Sequence, residues 1–282
     1  MLAYEKKTVT VLGEETKSLQ VVEVDLEGML GRNKVVLEHF VISFLLKGHK
    51  EMNFAGSEVW IDNTRALVIA QGNCLVTGRG RGSKDYNSIL FFFSRQRLTD
   101  FLVKRRPRPL NTLKPDCPKP WFVFEQDEFI KIFVSSLSVH LATVNTKLSE
   151  SILALKFEEV MTYLLDKYGD AFLSFLSQGL INGENLSFKQ TVEANKYNNL
   201  SISELAFLCN MSLSTFKRHF VEIFNDTPGN WFKQQRLERA KSLLESGASK
   251  PSQIFTATGY KNHAHFSTAF KAKFGKAPSQ SR

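Results

Sequence analysis

The stretch SLSTFKRHFVEIF, residues 212–224, combines an aromatic repeat with hydrogen-bonding and cationic side chains. Its three phenylalanines are four residues apart, which predicts one buried face of a helix: Phe216, Phe220 and Phe224. The side chains on or beside the opposite face are polar or cationic: Ser214, Lys217 and Arg218. Such a face is either simply solvated or makes hydrogen bonds and ion pairs with a polar, anionic ligand.

The residues before this stretch predict another helix and a sharp turn. Ser201 and Glu204 have the spacing of a capping box, so a helix is expected to begin there. The sequence CNM at 209–211 predicts the turn, and Ser212 is placed to cap the second helix. A helix, a tight turn and a helix with polar residues near its N-terminus is the geometry that places side chains in the major groove of DNA.

The same pattern recurs after a long amphipathic segment. Thr227 as a cap and Pro228 at the first helical position predict a connecting helix that ends at Gly247. Further on, Pro251 lies near a helix start, Gly259 marks a turn, and Asn262 is the expected cap. Three phenylalanines four apart follow again: Phe266, Phe270 and Phe274. Two helix-turn-helix units joined by a rigid helix are therefore predicted.

Length and charge divide the chain in the same way. A chain of 282 residues suits two domains, and the Gly, Asn and Ser residues of 177–187 predict the boundary, giving domains at 1–184 and 185–282. Residues 185–282 hold 14 Lys and Arg against 6 Asp and Glu, whereas the first 184 hold 23 against 22. The cationic excess of the second domain predicts a polyanionic partner, nucleic acid ahead of a membrane surface.

Cysteine usage and the N-terminal sequence favour a cytoplasmic protein. Cys74, Cys117 and Cys209 are far apart and lack the spacing of a metal site or redox pair, as expected of buried thiols in a reducing compartment. The sequence MLAYEKKTVT contains no apolar signal region, and no run is long enough to span a bilayer. We therefore expect no membrane association.

The first domain is predicted to be α+β. Short runs rich in branched and aromatic residues predict an antiparallel β-barrel or sandwich over about 20–95, and the continuous apolar runs ISFLL and ILFFF predict strands covered on both faces. Five prolines between 107 and 120 predict an extended connector, including a solvated basic run from Lys104 to Arg108. Helical periodicity then predicts two helices over about 128–168, which pack on the barrel or pair with a second subunit.

Residues from about 186 to 282 resemble the DNA-binding domain of the AraC/XylS family of bacterial transcription regulators. The resemblance rests on Ala206 and the turn after it, TPGNWFKQQRLERAKSLL, Ile254, Gly259, Tyr260 and FGKAP at 274–278. The first domain is similar, more diffusely, to the cupin-like regulatory domains that precede this module. Within the family, LCNMSLSTFKRHF is similar to activators of type III secretion and, more distantly, to sugar-responsive regulators.

The resemblance implies a DNA-binding transcription regulator, an activator that contacts promoter DNA and RNA polymerase, dimerises through its N-terminal helices and needs no cofactor. In the groove it implies Ser214, Lys217 and Arg218 from the first unit and Ala264, His265 and Thr268 from the second. Lys233 and Lys271 are expected at phosphates. Two departures from the family pattern are Phe255, where Ala is usual, and Ser281, where the family has an aromatic residue.

Two alternatives remain open at the level of sequence. A cupin-type barrel can be a metal-dependent enzyme, although His39 and His49 are ten residues apart and lack the paired histidines of such sites, while His263 and His265 point apart on a helix. The input to the first domain is either a small molecule or a protein antagonist, as in the type III secretion regulators that this chain resembles. An apolar ligand in the barrel would meet residues such as Phe44, Leu46 and 90–93, which more often simply fill it.

Overall fold

The computed structural model describes residues 9–12, 17–27, 30–79, 85–105, 119–143, 150–181, 188–246, 254–255, 260 and 262–280. Internal contacts divide the chain into two compact units, Met1–Asn185 and Leu186–Arg282. None of the helices in the described part of the chain combines the length and apolarity that a bilayer crossing requires.

The first unit contains two five-stranded sheets. Their strands are β1 (Val9–Leu12), β2 (Leu19–Glu27), β3 (Leu30–Leu37), β4 (Phe40–Lys47), β5 (His49–Asn53), β6 (Glu58–Ile61), β7 (Arg65–Ile69), β8 (Gly72–Arg79), β9 (Asp85–Phe93) and β10 (Trp121–Glu125). One sheet has the order β1-β3-β8-β5-β6 and the other β10-β7-β4-β9-β2. Pairing is antiparallel except between β1 and β3, which run parallel. The predicted antiparallel β architecture is therefore confirmed, with one parallel pair at an edge.

Three helices accompany the sheets: α1 (Arg95–Arg105), α2 (Glu128–Thr143) and α3 (Glu150–Ile181). The connector prediction was wrong for Lys104 and Arg105, which end α1; Arg106 and Arg108 lie outside the described residues. It also missed β10, which pairs with β7. Within α3, Gly169 has non-helical backbone angles, φ 51° and ψ −128°, so the predicted helix end near 168 coincides with this break, and a second helical stretch continues to Ile181.

The strands β4 and β9 are buried on both faces, as their continuous apolar runs predict. Alternate residues of β4, Phe40, Ile42 and Phe44, pack in a core with the helices, and the intervening Val41 and Leu45 pack between the sheets. In β9, Ile89, Phe91 and Phe93 belong to the helix-facing core, while Tyr86, Leu90 and Phe92 face the other sheet. The expected barrel lining was therefore wrong for Phe44, Leu46, Phe91 and Phe93, which pack toward the helices.

The second unit is helical in its described part. Its helices are α4 (Phe188–Ala194), α5 (Ile202–Leu208), α6 (Leu213–Phe224), α7 (Pro228–Glu245) and α8 (His263–Phe274), followed by a 3-10 turn at Pro278–Gln280. The predicted α+β class, with an all-α second domain, is confirmed.

Candidate nucleic-acid interface

The first helix-turn-helix unit begins at the predicted capping box. The Ser201 side chain accepts a hydrogen bond from the backbone N–H of Glu204, whose carboxylate accepts from the backbone N–H of Ser201 at 2.7 Å. The helix α5 ends at Leu208 with Cys209 as its C-cap, and Asn210 adopts the left-handed conformation at φ 54°. The backbone N–H of Met211 donates to the Ala206 carbonyl at 2.9 Å, which closes the turn. The local rules therefore predicted this turn correctly.

The aromatic stripe of α6 forms the core of the first helix-turn-helix unit. Phe216 and Phe220 are buried and Phe224 is half-buried. The ring of Phe216 lies 5.1 Å from that of Phe188 on α4. The ring of Phe220 lies 5.7 Å from Trp231 and 5.9 Å from Phe232, both on α7. These contacts fix which face of α6 points outward.

The outward face of α6 carries the predicted polar side chains. Ser212 caps the helix by accepting from the backbone N–H of Thr215 at 3.2 Å. Ser214, Lys217 and Arg218 are all exposed. Within the described residues, neither Lys217 nor Arg218 has a carboxylate within ion-pair distance. Both cations are therefore available to an anionic ligand.

Sequence reasoning missed two apolar residues on this face. Leu213 is 42% exposed and Val221 is 45% exposed. They lie four residues before and four residues after Lys217, so the three side chains follow one line along the helix. That spacing was visible in the sequence. Exposed apolar groups beside charged ones are suited to contact with thymine methyl groups.

The connecting helix α7 packs against both helix-turn-helix units. Thr227 caps it, accepting from the backbone N–H of Asn230, and Pro228 occupies its first turn, as predicted. The helix ends at Glu245 with Ser246 as its C-cap; the predicted stop at Gly247 lies outside the described residues. The second half of α7 shares an apolar core with the second helix-turn-helix unit. The buried residues of this core are Leu237, Ala240, Leu244, Ile254, Phe266 and Phe270. Lys233 is exposed.

The helix α8 repeats the design of α6. Asn262 caps it through its side-chain oxygen, which accepts from the Ala264 backbone N–H at 2.7 Å, and Gly275 ends it at φ 74°. The four predicted site residues on this helix are all exposed: Ala264, His265, Thr268 and Lys271. The start predicted at Pro251, the turn at Gly259 and the departure at Ser281 lie outside the described residues.

The departure at Phe255 is accommodated by packing. Phe255 is half-buried against the core of the second helix-turn-helix unit, and its ring lies 5.5 Å from that of His263 in an edge contact. His263 and His265 are both exposed, and His263 has the edge contact with Phe255.

Cations of the second unit differ in whether a carboxylate neutralises them. Lys273 pairs with Glu238 at 2.9 Å and Lys241 with Glu245 at 3.8 Å, so these two cations are partly neutralised. Lys217, Arg218, Lys233 and Lys271 are exposed, and salt-bridge partners for them are lacking within the described ranges. Unneutralised cations are the ones suited to phosphate.

The histidines considered for a metal have other surroundings. The Nε2 atom of His39 lies 2.9 Å from the carbonyl oxygen of Lys17, and the ring of His49 stacks on Trp60 at 5.1 Å. Over the residues that the structure describes, no group of three or more His, Cys, Asp or Glu side chains is placed to hold a metal ion.

Comparison with known proteins gives two domain matches. Residues 40–175 match the ExsA N-terminal regulatory domain, and residues 205–282 match a helix-turn-helix domain. The virulence regulon transcriptional activator VirF of Yersinia enterocolitica is 24% identical over 235 residues, covering 80% of this chain and 86% of VirF. The regulator ExsA of Pseudomonas aeruginosa is 24% identical over 241 residues, covering 84% of each chain.

A solved structure of ToxT from Vibrio cholerae aligns with 94% of this chain and 97% of its own, at 15% identity and a TM-score of 0.39. The domain matches span both units, in the order expected from the sequence, and the relatives are covered over most of their length. The chain is a helix-turn-helix transcription regulator of the AraC/XylS family.

Proposed function

We propose that this regulator activates transcription by inserting α6 and α8 into the major groove of double-stranded promoter DNA. The observation that carries the proposal is the pair of capped helices whose phenylalanines are buried and whose predicted contact residues are exposed. Each helix presents its N-terminal turns outward, as recognition helices do.

On α6, the guanidinium of Arg218 is assigned to a guanine, to which it can donate two hydrogen bonds. Lys217 suits a guanine or a phosphate, and the Ser214 hydroxyl can donate to or accept from a base edge. The exposed methyl groups of Leu213 add an apolar contact suited to thymine. Arg218 and Leu213 are therefore the first residues to test for sequence preference.

On α8, Thr268 and His265 supply hydrogen-bonding groups, and Ala264 supplies a methyl group for thymine. Lys271 and Lys233 are assigned to phosphates, because both are exposed cations that lack ion-pair partners in the described part of the chain. Phosphate contacts fix the register of the protein on DNA without selecting a sequence.

The connecting helix sets the distance between the two contacts. Its 18 residues span about 27 Å at 1.5 Å per residue. Successive major grooves on one side of a duplex are about 34 Å apart, so a connecting helix of this length suits the placing of α6 and α8 in two successive grooves. We expect one monomer to bind an asymmetric site that resembles a direct repeat.

The first unit is proposed to control this binding in the cytoplasm, through a small molecule or a protein antagonist. RNA polymerase is the proposed partner at the promoter. Self-association is assigned to the helices α2 and α3, where Ile132 is 63% exposed and Leu155 is 70% exposed. Apolar side chains of this exposure on two helices support an interface with a second copy.

The experiment is footprinting of the purified full-length chain on the DNA upstream of its own gene, followed by affinity measurements at stated ionic strength. Arg218→Ala should weaken binding to the protected site by about 1–3 kcal/mol and relax the preference at one base pair. Arg65→Ala, at an exposed arginine of the first unit, is the matched control and should leave the affinity unchanged. Absence of any protected sequence would contradict the proposal.

A further inference from the structure

A cavity lies between the two sheets of the first unit. Its empty volume is about 540 Å³ with the open solvent at its mouth included. Most of its walls are apolar, for example Val35, Met52 and Leu90, and four polar residues also line it: Asn33, Lys50, Tyr86 and Ser88. The cavity is therefore an apolar space with a few convergent polar groups, as small-molecule sites are.

The cation in this cavity is almost completely buried. Lys50 is 4% exposed, because it shares the inward face of β5 with Met52. Its Nζ donates a hydrogen bond to Ser43 Oγ at 2.5 Å and lies 5.7 Å from the centre of the Tyr86 ring. A lysine ammonium has three donors, so two of them have no protein acceptor in the described part of the chain.

No carboxylate within the described residues is near enough to form a salt bridge with Lys50. Glu51, the next residue along β5, instead pairs with Arg32 at 4.0 Å. The nearby Cys74 could neutralise the ammonium only as a thiolate. Burial raises the pKa of this thiol to about 12, although Lys50 opposes the rise, so Cys74 is neutral at ordinary pH. A buried ammonium with one hydroxyl partner is costly unless an anion joins it.

A second buried group in the same cavity lacks a partner. Ser88 is 1% exposed, and its hydroxyl oxygen has no hydrogen bond. It stands on the same face of β9 as Tyr86 and Leu90. A hydroxyl can donate to an oxygen anion just as an ammonium does. Lys50 and Ser88 therefore offer unused donors to one apolar space.

We propose that this cavity binds a small apolar monocarboxylate, with its carboxylate at Lys50 and Ser88 and its hydrocarbon part against the walls. With the solvent at its mouth included, the cavity volume lies within the range of about 300–1,000 Å³ usual for small-molecule sites, and a ligand of about six carbons serves as the probe. The regulatory role of this ligand depends on the proposed function. The binding of the ligand in the cavity is independent of that function.

The test is calorimetric titration of the full-length chain with three probes of matched length: hexanoate, 1-hexanol and hexylamine. A charge-assisted pair with Lys50 should make hexanoate bind at least about tenfold more tightly than hexanol, and hexylamine should bind most weakly. Lys50→Met keeps the length of the side chain and removes the charge. It should abolish the preference for hexanoate while retaining the binding of hexanol.

The matched control is Lys47→Met, at an exposed lysine of β4, which should behave as wild type. Cooperative thermal unfolding of Lys50→Met, at or above the wild-type midpoint, verifies that it folds. Wild-type protein without a preference for hexanoate over hexanol, or Lys50→Met with that preference intact, would overturn the proposal. Because footprinting tests DNA binding without any ligand, failure of the proposed function would be recognised separately.

Discussion

The ammonium of Lys273 lies 2.9 Å from the carboxylate of Glu238 and 3.2 Å from the carbonyl oxygen of Gln234, so α8 is tied to α7 by a charged side chain as well as by apolar packing. The Glu238 side chain is 53% exposed, whereas Phe270, on the same helix as Lys273, is fully buried. Apolar packing, rather than the ion pair, should therefore contribute most of the free energy that holds α8 against α7.

We accordingly expect the Lys273–Glu238 pair to contribute at most about 1 kcal/mol to the free energy of unfolding. A double-mutant cycle of Lys273→Met and Glu238→Gln, measured by urea unfolding, gives this coupling. Phe270→Ala should cost about 3–5 kcal/mol in the same assay. A coupling as large as the cost of Phe270→Ala would contradict the conclusion that packing dominates.

Although Ser212 is exposed, its capping of α6 should contribute measurably to the free energy of unfolding. Ser212→Ala removes the acceptor for the Thr215 backbone N–H, and we expect a loss of about 0.5–2 kcal/mol in the free energy of unfolding. The control is Ser242→Ala, on the exposed side of α7, which should be neutral or slightly stabilising. Equal effects of the two changes would argue against a capping role for Ser212.

Gly179 should not tolerate a methyl group, because a Cβ built there lies 2.7 Å from Cε1 of the buried Phe40. Phe40 stacks on Phe93 at 5.4 Å, so it has little room to move. Gly179→Ala should destabilise the chain by about 1–3 kcal/mol despite the better helix propensity of alanine. At Gly229 of α7 a Cβ would meet nothing within 4 Å, and Gly229→Ala should raise the thermal midpoint instead.

The carboxyl of Asp127 should make the first unit sensitive to acid. Burial raises its pKa, but hydrogen bonds from Lys167, at 2.5 Å, and from Tyr163 outweigh this and lower it to about 2. Because the folded pKa is below that of the unfolded chain, the stabilisation is complete above about pH 4 and is lost as the pH falls toward 2.

Asp127→Asn should therefore lower stability at neutral pH and flatten the dependence of unfolding on pH between about 4 and 2. Chemical unfolding at a series of pH values measures this. The exposed Asp100 of α1 provides the control, since Asp100→Asn should leave the acid limb unchanged. An unaltered acid limb in Asp127→Asn would remove Asp127 from this role.

DNA affinity should depend steeply on salt. If some 6–10 phosphates are neutralised, affinity should fall by about 10³–10⁵ between 50 and 200 mM salt. Lys233→Gln and Lys271→Gln should each reduce the slope of log affinity against log salt by about one. Lys131→Gln, on α2 of the first unit, should not change the slope. A slope unaffected by all three changes would remove Lys233 and Lys271 from the phosphate contacts.

The features that the sequence predicted well depend on neighbouring residues. Ser201, Ser212, Thr227 and Asn262 all cap helices as expected, because a cap needs only its own side chain and the backbone two or three residues on. The phenylalanine repeats are equally local, so the outward faces of α6 and α8 followed from them.

The sequence-based predictions failed where a strand depends on pairing with a distant strand, and where apolar and polar residues do not alternate along a strand. The strand β10 follows Pro118 and Pro120, and only its pairing with the distant β7 makes it a strand. Because β4 and β9 are apolar throughout, nothing in their sequence shows that Phe44 faces the helices and Leu90 the other sheet. Buried lysines are rare, so Lys50 gave no sequence signal. The helix α1 did have a sequence signal, the helical spacing of its buried residues Leu98, Phe101 and Leu102. The basic residues at its end obscured this helical pattern.

Both faces of β4 are buried, one against the helices and one against the other sheet, and this limits how far the first unit can be truncated. Any fragment that stops before α2 would expose Phe40 and Phe44 to water, because Phe133 of α2 contacts Phe44 and Gly179 of α3 lies against Phe40. Such a fragment should aggregate on expression, whereas one that continues through residue 181 should remain monodisperse enough for ligand titration.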